Sequence, residues 1–309
     1  MLTDTKIPTA STARSAHHPR LSLGRAAAWF ALITMVLITI LPFYWMLRTA
    51  LSNNHALAAN SFSLLPADFT LGPFKRVLGL STPAEAMAEG GSGASINFWL
   101  YLRNSVIVSV VVTAGQVFFC AMAAFAFARL RWVGRDKVFF LFLAALMVPP
   151  IFTALPNFLT VKSLGLLNTL PGIIVPGLLM TPFAIFFLRQ FFLGIPREID
   201  EAAMIDGARP FRIFFRIIMP MSVAPITTLA LLTFIGAWND YFWPLLVGGT
   251  EESRVLTVAL GVFRSQTPQG SPDWAGLMAA SLVAALPIMI LFFAFAKKVV
   301  NSIGFSGIK

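Results

Sequence analysis

The run NSVIVSVVVTAGQVFFCAMAAFAFA, from Asn104 to Ala128, contains no charged side chain. A helix crossing about 30 Å of hydrocarbon needs about 20 mainly apolar residues, and this run supplies them. Five more runs of the same kind stand around it, at Ala26–Leu47, about Val138–Val161, Leu170–Leu188, Val223–Val247 and Ala275–Ala296. The pattern predicts an all-α integral membrane protein with six transmembrane helices. Composition agrees: of 309 residues, 57% are hydrophobic and 12% charged, against roughly 25% charged in a soluble domain. Most soluble folds are thereby excluded, because a water-facing surface needs more polar side chains than this chain holds. The single cysteine, Cys120, and three histidines leave no disulfide framework and no Cys-based zinc site, and little for any other metal.

A cleavable signal peptide is the alternative for the first run, since Arg14, Arg20 and Arg25 precede it and Ala56 to Ala58 follow. Its spanning length, and Arg48 before the small-residue triplet, weigh against that reading. Charge then sets orientation. With both termini cytoplasmic, 16 of the 23 basic residues and 6 of the 13 acidic ones fall inside, leaving +10 on the inner face and a neutral outer face. The excess therefore follows the positive-inside rule and needs no nucleic-acid partner.

Residues 1–25 are rich in Ser, Thr, Ala and His without an apolar period, and read as a flexible cytoplasmic tail. The longest outer loop runs from about residue 49 to 103, broken by Gly90-Gly91-Ser92-Gly93-Ala94. Before that break stand Phe62, Leu64, Leu65, Phe69, Leu71 and Phe74, which suit packing on the chain's own helices or a docking surface. Spans three and four carry Pro149, Pro150, Pro156, Pro171, Pro176 and Pro182, so bends are expected there.

The inner segment Pro196–Pro220 is too long and too apolar for a connector. Pro196 suits the first turn of a short helix whose early residues are acidic, and Gly207 suits its stop. A second helix is expected from about Pro210, with Arg209, Arg212 and Arg216 set among Phe211, Phe214 and Phe215. Ile199, Ala202, Ala203 and Ile205 give the first helix a small apolar face. On physical grounds a docking knob and an interfacial helix that seats the bundle stand level.

The spacing within that segment adds a resemblance. Glu201-Ala202-Ala203, then Gly207, then Ile217-Ile218-Met219-Pro220 resembles the signature cytoplasmic loop of permease subunits of binding-protein-dependent ABC importers. Met219 in place of leucine is the one departure. From about residue 26 onward the chain is similar to the second, six-helix permease of maltose-type sugar importers. The resemblance implies a transmembrane domain over residues 26–300, a coupling loop over 196–220, and a C-terminal tail over 301–309 that reaches the ATPase dimer or is simply disordered. It further implies that Glu201, Ala202, Ala203, Asp206, Gly207, Ile217 and Pro220 form the contact with a cytoplasmic ATPase. In such a system ATP and Mg are used by the ATPase partner, and this chain binds no cofactor. The other implied partners are a second permease subunit, an extracytoplasmic sugar-binding protein and the lipid bilayer of a bacterial inner membrane. The chain itself has no Walker-type phosphate loop and no catalytic residues are assigned.

Near the end of span five, Trp238, Asn239, Asp240 and Tyr241 place amide and carboxylate groups among aromatic rings. Aromatic faces beside polar groups suit a sugar in a substrate path, while an aromatic belt at the membrane interface explains the same residues. Asp240 is the one acidic residue within a span and needs water, a polar partner or a cavity. The run also resembles its counterpart in sugar permeases. A di- or oligosaccharide is therefore the expected solute, with glycerol 3-phosphate or another polyol as the alternative. A lone ion-coupled carrier would need more embedded ionisable groups, and no nucleophile or carboxylate pair supports an integral-membrane enzyme.

Overall fold

A computed structural model describes residues 23–59, 62–91, 97–266 and 273–304. The N-terminal tail before residue 23, the Ser92–Ala94 part of the glycine-rich break and the tail beyond Gly304 lie outside the described residues. Among the described residues the fold is all-helical, with one isolated antiparallel bridge between Ser52 and Phe69.

Helix α1 (Leu23–Ala50) begins in a first compact unit that ends at Trp45. In that unit it is apolar all round, with Trp29, Phe30, Met35 and Ile38 exposed. Its only internal proline, Pro42, does not break it.

The second unit starts at Met46 and holds the remaining helices. In chain order they are α2 (Asn54–Ala59), α3 (Gly72–Val77), α4 (Pro83–Ala88), α5 (Phe98–Arg129), α6 (Arg135–Ala145), α7 (Pro150–Ser163), α8 (Leu170–Leu178), α9 (Pro182–Leu193), α10 (Arg197–Ile205) and α11 (Pro210–Ile213). A π-helical turn (Phe214–Ile218) leads to α12 (Met219–Met221), α13 (Val223–Asn239), α14 (Phe242–Val247), α15 (Leu256–Gln266) and α16 (Trp274–Gly304). Among the described residues three helices, α1, α5 and α16, are long and apolar enough to cross a membrane, and up to six spans result if each bent pair counts as one.

Those pairs revise the continuous runs expected from sequence. The third run is two helices, α6 and α7, meeting at 100°, because Pro149 and Pro150 end the first and begin the second. The fourth is α8 and α9 at 42°, broken before Pro182 and extended to Leu193. The fifth ends its long helix at Asn239, with Asp240 in extended conformation before α14. The second begins earlier, at Phe98, and the last runs on to Gly304. Within the stretch 49–103 the described residues form α2, α3 and α4, a folded segment rather than a plain loop.

Helix α5 is the central strut, packed against α8, α9 and α13. Ala121, Ala124, Ala128, Ser105 and Ser109 are buried along it, small side chains that let neighbouring backbones approach. Gly115 marks a close approach of α5 to α8: a Cβ there would lie 2.6 Å from the Leu178 carbonyl oxygen. Gly115→Val is expected to lower stability by about 1–3 kcal/mol through overpacking, read as a fall in the unfolding temperature of the purified protein in detergent. An unchanged unfolding temperature would contradict the close crossing.

Three apolar clusters fill the second unit. One gathers Phe125, Phe127, Phe139, Phe192, Phe214 and Ile218 near the 196–220 segment. Another joins Val108, Val112, Ile173, Val247 and Val258. The third unites Phe98, Tyr101, Trp238, Leu256, Phe263 and Ala279. The folded segment after α1 is tied to this third region. Arg76 is paired with Glu89 at 3.1 Å and with Asp273 at 3.0 Å, and α3 packs on α16. Of the apolar residues noted before the glycine break, Phe74 packs into the third cluster, while Phe62, Leu64, Leu65, Phe69 and Leu71 are exposed. Helix α4 has a reciprocal cap, with the Thr82 hydroxyl accepting from Glu85 N–H and the Glu85 carboxylate accepting from Thr82 N–H. These bonds hold the Glu85 carboxyl below its ordinary range.

Candidate functional site

The 196–220 segment is a helix-turn-helix. Pro196 is the residue before α10 rather than its first turn, and Glu198 and Asp200 occupy that turn, where the helix N-terminus favours negative charge. The helix ends in a tight reversal: Ala208 N–H donates to Ala203 O at 2.9 Å and Gly207 N–H to Met204 O at 3.0 Å. This paired closure requires a left-handed residue, and Gly207 has φ +76°. Arg209 is extended, Pro210 opens α11, and the π-helical turn follows. Pro220 has no N–H to offer the carbonyl four residues back, which favours an irregular ladder there. From Pro210 to Met221 the chain lies at 80° to α13, so this second arm runs across the end of the bundle.

The two arms divide the residues singled out from sequence. Glu201, Ala202, Asp206, Gly207 and Pro220 are exposed, together with Met204, Phe211 and Ile205, which is 86% exposed. Ala203 packs against the phenylalanine cluster, and Ile217 is half-buried beside the fully buried Ile218. The small apolar face of α10 expected from sequence is therefore split, with Ile199 and Ala203 turned inward and Ala202 and Ile205 outward.

Sequence reading missed what fastens the inward side. Arg129, the last residue of α5, donates through Nη2 to the carbonyls of Phe192 at 2.5 Å and Ile195 at 2.7 Å. Its Nη1 lies 3.1 Å from Asp200 Oδ2, with the two side chains 3% and 12% exposed. One guanidinium thus joins α5, the end of α9 and the first turn of α10. Both residues were visible as charges, but nothing in their spacing announces a pair.

A second feature is a cavity of about 680 Å³ between α5, α7, α8, α13 and α14. Its polar lining comes from Gln116, Thr153, Asn157, Thr233, Asp240 and Trp243. Gln116 Nε2 donates to Gly177 O at 2.7 Å, and its Oε1 accepts from Thr233 Oγ1 at 3.5 Å. Asp240 Oδ1 accepts from Trp243 N–H at 3.4 Å, and Trp243 Nε1 is buried with no hydrogen-bond partner among the described residues.

Of the four residues proposed from sequence for a substrate path, Asp240 alone lines this cavity. Trp238 is buried and donates to Ala284 O at 3.2 Å. Asn239 donates to Ile235 O at 2.9 Å on its own helix, and Tyr241 lies against Gly261. Gln116 and Asn157 carried a usable signal, as lone amides deep in apolar runs. Asn104 shows the limit of that signal, since it is wholly buried and bonded to the carbonyls of Glu252 and Arg254.

Comparison with known proteins places these features in context. A family model described as "Binding-protein-dependent transport system inner membrane component" matches residues 116–304. The arabinooligosaccharides transport system permease protein AraQ of Halalkalibacterium halodurans is 34% identical over 212 residues, covering 69% of this chain and 75% of that protein. The trehalose/maltose transport system permease protein MalG of Thermococcus litoralis is 30% identical over 278 residues, covering 90% and 94%. The fold also matches a chain from the crystal structure of a bacterial ABC transporter involved in the import of the acidic polysaccharide alginate. That match has a TM-score of 0.74 at 22% identity, over 90% of this chain and 99% of the other.

Proposed function

The chain belongs to the family of inner-membrane components of binding-protein-dependent transport systems, and from that membership we propose that it is the translocation subunit of an ATP-driven importer of di- or oligosaccharides. It is a multi-pass membrane permease of the carbohydrate-uptake type. The proposal adds six spans with both termini cytoplasmic, a bacterial inner-membrane location, and assembly with a second permease, a dimeric ATPase and an extracytoplasmic binding protein.

One observation carries the reading. The exposed helix-turn-helix is fastened by Arg129 to the same helix whose Gln116 lines the central cavity. At about 1.5 Å per residue, the two positions lie about 20 Å apart along α5. A push on the exposed Glu201, Ala202 and Gly207 surface by a closing ATPase would therefore move a rigid strut that borders the solute cavity. ATP chemistry belongs to the partner, which would use ATP and Mg. The roles on this chain are docking by residues 201–207 with Ile217 and Pro220 behind them, transmission by α5, and solute contact by Asp240, Trp243, Gln116 and Asn157. The maltose and arabinooligosaccharide permeases among the relatives support a saccharide.

Uptake of labelled mono-, di- and oligosaccharides and of glycerol 3-phosphate, by cells with and without the gene, tests this. Loss of di- or oligosaccharide uptake is expected. Loss of none of the sugars overturns the assignment, and loss of glycerol 3-phosphate uptake alone moves it to the polyol class. In the same assay Asp240→Ala is expected to raise the KM for uptake by about tenfold, the scale of a lost hydrogen bond to a charged group.

A further inference from the structure

We propose that the concavity formed by the α5–α6 turn and the start of α10 is a binding site for the phosphate of an anionic phospholipid headgroup. The pocket, of about 490 Å³, is lined by Arg131, Trp132, Gly134, Arg135, Asp136, Lys137 and Arg197. Its one carboxylate is already committed, since Asp136 is gripped by Arg135 through Nε at 2.9 Å and Nη2 at 3.3 Å. Arg131, Lys137 and Arg197 have no ion-pair partner among the described residues. Three uncompensated cations around one opening repel each other until an anion enters. A phosphate, with several acceptor oxygens, answers that arrangement.

The surroundings select a lipid over a free ion. Trp132 is partly exposed with its indole N–H donating to Ala126 O at 3.3 Å, and Val133 beside it is fully exposed. An amphipathic ring at this position is the usual mark of the headgroup level. Phe140 and Leu141 on α6 continue outward as exposed apolar surface, suited to the acyl chains of a lipid whose phosphate sits among the cations. Arg197 is the first residue of α10, so the headgroup would bridge the α5–α6 turn to the docking helix. The site thus rests on the coupling role proposed above for its regulatory meaning, though not for its binding.

The test uses the assembled transporter purified in detergent, with dihexanoyl phosphatidylglycerol, dihexanoyl phosphatidylcholine or inorganic phosphate added, and lipid adducts counted by native mass spectrometry. Phosphatidylglycerol is expected to bind at least about tenfold more tightly than phosphatidylcholine, and Arg131→Gln with Lys137→Gln is expected to erase that preference. Arg212→Gln, an exposed cation outside the pocket, is expected to retain it. Equal binding of the two lipids, or an unaltered preference in the double variant, overturns the proposal. Inorganic phosphate competing as well as the lipid would make this a free-anion site and overturn the lipid source. A pocket closed to lipid in the complex but open in the isolated chain would assign it to a protein partner and overturn it as well. Because adducts are counted without transport, failure here is distinguishable from failure of the importer reading.

Discussion

Arg129→Met is expected to destabilise the chain by about 3–5 kcal/mol, the range for removing one partner from a buried ion pair. The loss is this large because Asp200 stays behind as an unpaired buried charge and the carbonyls of Phe192 and Ile195 lose their donor together. Thermal unfolding in detergent measures it, with protease sensitivity of the 196–220 segment as a local readout. Asp200→Asn combined with Arg129→Met is expected to recover part of the stability, since it removes the unpaired buried charge while the Phe192 and Ile195 carbonyls still lack their donor. Solute uptake in that double variant should remain reduced if the guanidinium's three-way grip transmits movement as well as holding the fold. A single variant as stable as the parent would show that the pair contributes nothing.

Gly207→Pro and Glu201→Lys are expected to cut uptake by tenfold or more while leaving the protein inserted in the membrane. Proline fixes φ near −65°, against +76° in the structure, and removes the N–H that donates to Met204 O. The reversal that presents Ala202, Ile205 and Asp206 would then open. Glu201→Lys leaves the backbone intact and inverts the charge on an exposed face, so it tests docking without testing folding. Solute-stimulated ATP hydrolysis by the assembled transporter should fall in parallel. Uptake and ATPase stimulation at parental levels in both variants would remove the docking role.

The helices were legible because burial in lipid imposes a length and a composition on each run, while the prolines of spans three and four announced bends without deciding where a span divides into two helices. The left-handed turn at Gly207 was legible, since few other residues tolerate it. Angles were not. The chain turns through 100° at Pro149-Pro150 and through 42° before Pro182, although each site has the same kind of helix-breaking residue. The side chains of span five show the same limit. Trp238, Asn239, Asp240 and Tyr241 are adjacent in sequence, yet they point to a buried carbonyl, their own helix, the cavity and Gly261. Consecutive residues at a helix end diverge in direction, so adjacency in sequence is poor evidence for a shared site.

By itself, then, the sequence determined an all-helical membrane chain and a helix-turn-helix carrying the Glu201-Ala202-Ala203 and Gly207 pattern. These properties depend on local composition and on backbone torsions. Only the tertiary structure decided that Arg129 grips Asp200, that Gln116, Asn157, Asp240 and Trp243 border one cavity, and that Arg131, Lys137 and Arg197 surround another. Those pairings join residues far apart along the chain, and their geometry comes from how bent helices pack, which no local pattern encodes.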